Sequence, residues 1–217
     1  IKPLSRIDYT RQQDVEDFFS INKPEIVIIC AAKVGGINEN INENIKFIYD
    51  NTMIQNNIIN ASYTNNVQKL IFISSACVYP KYCNQPMKES DILSGSLEPT
   101  NEFYSLAKIS GMKLCEAYYK EKNCKFISVV PTNLYGKEEL YSIYSSHVIP
   151  SLFKKFDTSK IDGSNKVTVW GSGEAYREFL YISDFVEALN IVIENYNSIE
   201  PINIGFGTDI KIKDLVY

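Results

Sequence analysis

The sequence predicts an α/β protein built on a doubly wound parallel sheet. Three observations carry that prediction. Short continuous apolar runs at Glu25–Ala32, Lys69–Ser75 and Lys125–Pro131 have the length of strands buried on both faces. Segments of helical length and spacing separate them. The resulting alternation of strand and helix favours right-handed crossovers between parallel strands.

Taken in order, Arg11–Ile21 places Val15, Phe18 and Phe19 on one helical face, with Thr10 as a candidate cap. The Glu25–Ala32 strand follows Pro24. Asn44–Asn65 carries Ile45, Ile48, Met53, Ile54, Ile58, Ile59 and Ala61 near helical spacing. After the Lys69–Ser75 strand, Thr100–Lys122 repeats the pattern with Tyr104, Ala107, Lys108, Met112, Leu114, Ala117 and Tyr118. The rhythm changes after Gly136. Tyr141–Phe156 reads as a loop leading into a short helix, Lys166–Trp170 as an alternating strand, and Gly171-Ser172-Gly173 as a turn. A strand at Arg177–Ile182, a helix at Asp184–Tyr196 capped by Asp184, and a strand at Pro201–Gly205 follow. Asp209–Tyr217 reads as the first turns of another helix.

Composition narrows the function classes. The 217 residues carry a net charge of −4, 22% charged and 45% hydrophobic residues, and 12% aromatics, which fits a globular chain with a sizeable core. No basic cluster exceeds Lys154-Lys155, so a nucleic-acid partner is not expected. No apolar run approaches the roughly 20 residues of a membrane span, and Ile1–Asp8 lacks the basic stretch and apolar core expected of a signal peptide. Five cysteines without a C-x-x-C pair suggest free thiols in a reducing, cytoplasmic setting, and no metal site is expected.

One constellation carries chemistry. Tyr104 and Lys108 stand four residues apart, on one face of a helix. A free phenol titrates near 10, and a neighbouring cation is expected to lower that value. Ser75 closes the preceding strand, at the sheet edge where open α/β folds bind ligands.

These residues sit within longer strings. Ala31-Ala32-Lys33-Val34-Gly35-Gly36-Ile37, Ser74-Ser75-Ala76-Cys77-Val78-Tyr79-Pro80, and Glu98-Pro99-Thr100-Asn101-Glu102 precede or surround them. Pro131-Thr132-Asn133-Leu134-Tyr135-Gly136, Ser146-His147-Val148-Ile149-Pro150 and Trp170-Gly171-Ser172-Gly173, with Arg177-Glu178-Phe179, follow. Through them the chain resembles the extended short-chain dehydrogenase/reductase superfamily, and within it the GDP-L-fucose synthase family, from about residue 5 onward.

The resemblance implies a Rossmann-like sheet with a smaller C-terminal α/β substrate region, divided as 1–136 for a partial dinucleotide-binding domain and 137–217 for most of the substrate region. It implies NADP as cofactor, a GDP-sugar substrate and a homodimer. The implied reaction is conversion of GDP-4-keto-6-deoxy-D-mannose to GDP-L-fucose, by epimerisation at carbons 3 and 5 and then reduction of the 4-keto group. By resemblance Tyr104 donates the proton in reduction, Lys108 lowers its pKa and holds the nicotinamide ribose, and Ser75 orients the ketone. Cys77 is the implied epimerisation base, and His147, the single histidine, the acid. Both titrate within reach of neutral pH. Cofactor contacts carry over to Lys33, Ile73, Ser74, Ser75, Ala76, Lys108, Pro131, Thr132, Asn133, Leu134 and His147. Substrate contacts carry over to Lys155, Trp170 and Arg177, with Arg177 suited to a diphosphate.

Lys155 stands where the family usually has Arg, and the largest departure from the family is an absence. The chain's ten glycines form no G-x-x-G-x-x-G turn, so the first strand and phosphate-binding turn of the fold are not among these residues. The 217 residues are expected to be a piece cut at both ends, and by themselves to bind NADPH weakly or not at all. Two competing readings are a nucleotide-sugar epimerase or dehydratase and a non-catalytic remnant. The family's dehydratases carry an Asp-Glu pair where this chain has Ala76-Cys77, and a simple 4-epimerase would not need the Cys77/His147 pair.

Overall fold

The computed structural model describes residues 7–137, 147–164, 166–169 and 171–216. Its main sheet is formed by β1 (Ile26–Ile29), β2 (Lys69–Ile73), β3 (Phe126–Pro131) and β6 (Ile202–Ile204), in the order β1-β2-β3-β6. Every pairing in it is parallel. A smaller sheet joins β4 (Asn133–Tyr135), β5 (Tyr176–Tyr181) and β7 (Asp209–Lys211), parallel between β4 and β5 and antiparallel between β5 and β7.

Helices cover both faces of the main sheet because its strands are apolar on both sides. Leu70 and Phe72 of β2 point into a core with Val15 and Phe19 of α1 (Gln12–Asn22), Ile54, Ile58 and Ile59 of α3 (Asn44–Thr64), and Ile109 and Met112 of α4 (Glu102–Lys122). Ile71 of the same strand points the other way, to Ile127, Val129 and Ile204, against Phe185, Leu189 and Val192 of α6 (Ile182–Asn195). The alternation along one strand therefore defines two cores. Lys69, at the start of β2, is buried and donates to the Val192 and Ile193 carbonyls, neutralising the negative end of α6.

Helix α4 lies close against α3 and β2 because residue 111 is glycine. A Cβ there would meet Phe72 Cζ at 2.5 Å and Gln55 Cδ at 2.8 Å. Gln55 is itself held, donating to the Ala107 carbonyl at 2.6 Å and to Ser110 Oγ at 2.9 Å. Replacing Gly111 by Ala should therefore cost about 1–3 kcal/mol through overpacking, despite the better helix propensity of Ala. Urea denaturation of the two proteins measures the loss.

Several elements differ from the sequence expectation. Strand β1 is shorter than Glu25–Ala32, and the chain leaves it as a loop from Cys30 to Gly36 before α2 (Ile37–Asn42). Thr10 does not cap α1: its N–H and hydroxyl both donate to Asp8, and Arg11 takes the N-cap position without a side-chain bond. Residues 166–169 form no strand. Helix α5 runs from Val148 to Asp162 and is longer than the short helix expected. Asp184 lies in the first turn of α6, where its charge favours the helix dipole, and Tyr181 is the N-cap. Asp209–Lys211 is strand β7, and only Ile212–Val216 is helix (α7), because Tyr176–Glu178 offers an antiparallel edge to pair with.

Candidate active site

The site lies at the carboxyl ends of β1, β2 and β3, the edge where parallel sheets present their loops. Strand β2 ends at Ile73. Ser74 and Ser75 then lead into a single 3-10 turn, Ala76–Val78. Ser75 is the N-cap of that turn, and its Oγ accepts from the Cys77 N–H at 3.4 Å. The same Oγ lies 3.2 Å from Cys77 Sγ. Val78 is buried beneath the turn, and Tyr79 anchors its far end by donating to Asn203 Oδ1 at 2.6 Å.

Tyr104 and Lys108 come to this turn from the first two turns of α4. Lys108 is 4% exposed and donates to the Ile73 carbonyl at 2.9 Å. Its ammonium lies 4.9 Å from the Phe72 ring centroid and 5.8 Å from that of Tyr104. Tyr104 is also held edge-on by Phe47 of α3, with ring centroids 6.1 Å apart. The structure brings Lys108 to the end of β2, beside the turn that holds Ser75 and Cys77, with Tyr104 one helical turn before it on α4.

The electrostatics depart from expectation. Burial pushes the Tyr104 phenol above its ordinary value, Cys77 adds to the rise, and the Ser75 hydroxyl opposes it by hydrogen bonding. Lys108 does not depress it, because its own ammonium is desolvated to about 8 and is directed at Ile73. Burial likewise raises the Cys77 thiol, while the Ser75 hydroxyl, the Lys108 charge and the Arg177 charge pull it down.

The remaining expected residues fall in three groups. Pro131, Thr132, Asn133 and Leu134 carry the chain from β3 into β4, from one sheet to the other. The Glu178 carbonyl receives both Thr132 Oγ1 and Asn133 Nδ2 at 2.9 Å, and the Thr132 N–H donates to the Ile204 carbonyl at 3.0 Å. Arg177, on β5, is exposed, and one guanidinium nitrogen donates to the Tyr176 carbonyl at 2.7 Å. Its charge favours the Cys77 thiolate. Lys33 makes an ion pair with Glu43 at 3.3 Å and lies over the Phe47 ring at 5.6 Å.

His147 is an exposed residue at the N-cap of α5, and among the described residues it takes no part in the contacts that bind the Ser75–Cys77–Tyr104–Lys108 cluster. Lys155 donates to the Thr168 carbonyl at 3.0 Å. Trp170 lies outside the described residues.

Sequence reasoning missed three supports. Asn51 clamps the Lys33 backbone from both sides, receiving its N–H at 2.8 Å and donating to its carbonyl at 3.0 Å. Phe47 and Asn203 hold Tyr104 and Tyr79. Cys30 and Lys108 each shift the other's pKa. The position of Cys30 immediately after β1 was the available signal.

The model of the NAD dependent epimerase/dehydratase family matches residues 2–205. GDP-L-fucose synthase from Sinorhizobium fredii is 46% identical over 212 residues, spanning 98% of this chain and 68% of that protein. GDP-L-fucose synthase 1 from Arabidopsis thaliana is 45% identical over 215 residues, 99% of this chain and 67% of its own length. The chain thus spans about two thirds of these relatives. Among solved structures, a GDP-L-fucose synthetase from Naegleria fowleri bound to NADP superposes with a TM-score of 0.89 at 32% identity, over 96% of this chain and 64% of that one.

Proposed function

Since the chain belongs to the NAD dependent epimerase/dehydratase family, we propose that it carries the catalytic centre of a GDP-L-fucose synthase, an NADP-dependent epimerase and reductase. The observation that carries this reading is a thiol set beside the reducing residues: Ser75 Oγ lies 3.2 Å from Cys77 Sγ, at the same strand end where Lys108 donates to the Ile73 carbonyl. A Ser, Tyr and Lys set alone would serve reduction. The adjacent thiol adds a base.

The residues suit a nicotinamide cofactor. Lys108 uses one of its three N–H donors on Ile73 and is buried at the strand ends, where a ribose hydroxyl could take another. Ile73, Ser74, Ser75 and Ala76 would line one side, with Pro131–Leu134 at the sheet crossing and Lys33 at the clamped loop. When bound, NADPH supplies the hydride.

In this reading Cys77 removes the protons at carbons 3 and 5 of the sugar, each α to the ketone, and His147 returns them on the other face. Ser75 and Tyr104 donate to the ketone oxygen, stabilising the enolate. Tyr104 then protonates that oxygen during reduction. Arg177, Lys155 and Trp170 hold the GDP moiety. Residues 1–136 serve mainly the cofactor and 137–217 mainly the sugar nucleotide. Homodimeric assembly and a cytoplasmic location belong to the same proposal; no helix among the described residues is long and apolar enough to cross a membrane.

The deciding experiment follows deuterium uptake from D2O into the 4-keto sugar by the whole protein. Cys77→Ser should slow uptake at carbons 3 and 5 by roughly 10²-fold or more, since a hydroxyl is a far weaker base than a thiolate. Uptake in the wild type should rise with pH, as burial raises the thiol. Unchanged uptake in the variant would remove Cys77 as the base.

A further inference from the structure

Cys77 sits on a turn with little holding power of its own. Ala76–Val78 is a single 3-10 turn, a geometry with poorer hydrogen bonds than an α-helix. The sheet fixes its start: the Ser74 N–H donates to the Val129 carbonyl at 2.8 Å, and Ser74 Oγ to Met112 Sδ at 3.1 Å. The Cys77 N–H reaches Ser75 Oγ only at 3.4 Å. The far end of the turn is fixed by a side chain, that of Tyr79, which is 5% exposed.

The Tyr79 hydroxyl is more than packing requires. A Phe ring would fill the same space, and a phenol oxygen buried without a partner costs stability. Here the hydroxyl donates to Asn203 Oδ1 at 2.6 Å. Asn203 is itself locked. Its backbone N–H donates to Glu89 Oε1 at 2.9 Å, and its Nδ2 donates to the Met87 carbonyl at 3.3 Å, which turns Oδ1 towards the phenol. Asn203 pairs with Val130 in the register of β3 and β6, and the next residue, Ile204, receives the Thr132 N–H at its carbonyl.

We propose that Tyr79 is a positioning residue for epimerisation: through Asn203 it ties the Cys77 turn to β6, the strand that also holds the Pro131–Leu134 crossing, and so sets the thiol against the sugar carbons. The inference rests on the base role proposed for Cys77. The groups that serve reduction do not depend on this tie. Ser75 follows the strand-bound Ser74, and Lys108 is bound to the Ile73 carbonyl. Loss of the Tyr79 hydroxyl therefore separates the two half-reactions: the thiol drifts, while the Ser75 hydroxyl and the Lys108 ammonium stay.

Tyr79→Phe removes one oxygen and keeps the buried ring. Two measurements on the whole protein test its effect. Without substrate, Cys77 is alkylated by iodoacetamide, and its peptide is quantified by mass spectrometry against that of Cys124. The half-buried Cys77 thiol gains access when the turn loosens, so its rate should rise by roughly threefold to tenfold in the variant. With the 4-keto sugar and NADPH, kcat for deuterium uptake at carbons 3 and 5 should fall by roughly tenfold or more, with KM within about twofold. Hydride transfer then overtakes inversion, and NMR should find a larger share of reduced sugar with the starting configuration at both carbons. A hydroxyl that only stabilised the fold would lower both half-reactions by one factor and leave the product composition unchanged. Asn203→Ala should reproduce these shifts, and adding Tyr79→Phe to it should produce no further one.

Alkylation of Tyr79→Phe at the wild-type rate overturns the proposal, as do equal losses in exchange and reduction; both results need only that one variant to fold. Additive losses in the double variant overturn it as well. The alkylation rate involves no sugar chemistry, so it judges the anchor even where the deuterium experiment on Cys77→Ser removes Cys77 as the base.

Discussion

Replacing Tyr104 by Phe should reduce ketone reduction by about 10²–10⁴-fold, while deuterium uptake at carbons 3 and 5 persists within about tenfold of the wild type. The substitution removes one oxygen and little else. The ring is held by its edge contact with Phe47, which Phe retains. Lys108 stays anchored on the Ile73 carbonyl, and Ser75 stays bound to the turn through Cys77. What disappears is the proton that the developing alkoxide needs. Raised by burial, the phenol is neutral and loaded with that proton at physiological pH, as a donor must be. NADPH oxidation by the whole protein measures reduction, and NMR of the sugar measures exchange. Equal losses in both would show that Tyr104 supports the whole site rather than acting as the donor.

Replacing Lys108 by Met should abolish reduction and change how stability depends on pH. The ammonium is buried, and desolvation brings its pKa to about 8, below the value near 10.4 of an unfolded lysine. The sign follows directly. Below pH 8 the lysine is charged in both states, and the folded protein bears the full cost of burying that charge. Between about pH 8 and 10.4 the unfolded chain binds more protons than the folded one, so stability rises with pH. The stability difference between wild type and Lys108→Met should therefore move in favour of the wild type across that window, by an amount on the order of 3 kcal/mol. The lost bond to Ile73 shifts both ends of the comparison equally. Paired urea titrations at pH 7 and pH 10 test this, and a constant difference would mean that the buried amine is not titrating. A charge that costs stability and is retained fits a group kept for function.

Much of the site was legible because its parts are local in sequence. Tyr104 and Lys108 share a helix face at any packing of α4, and Ser75 follows a strand whose continuous apolar run marks it as buried on both sides. The supports of those residues were not legible. Asn51 clamps Lys33 across 18 positions, Tyr79 reaches Asn203 across 124, and Phe47 meets Tyr104 from another helix. No spacing rule encodes such pairs. The electrostatic error has the same origin: the motif suggests an ammonium beside a phenol, but depth of burial and the direction of the Lys108 side chain settle which group is shifted, and how.

The sequence by itself determined the alternation of strand and helix, the two-sided burial of β2 and β3 and the family of the chain, since periodicity and short motifs survive without knowledge of the packing. The tertiary structure decided the length of β1, the pairing that makes Asp209–Lys211 a strand, and the crossing at Thr132, which is held to β5 through the Glu178 carbonyl. Each of these depends on hydrogen bonds contributed by segments far away in the chain. Such partners acquire their energies only once loop closure has brought them together.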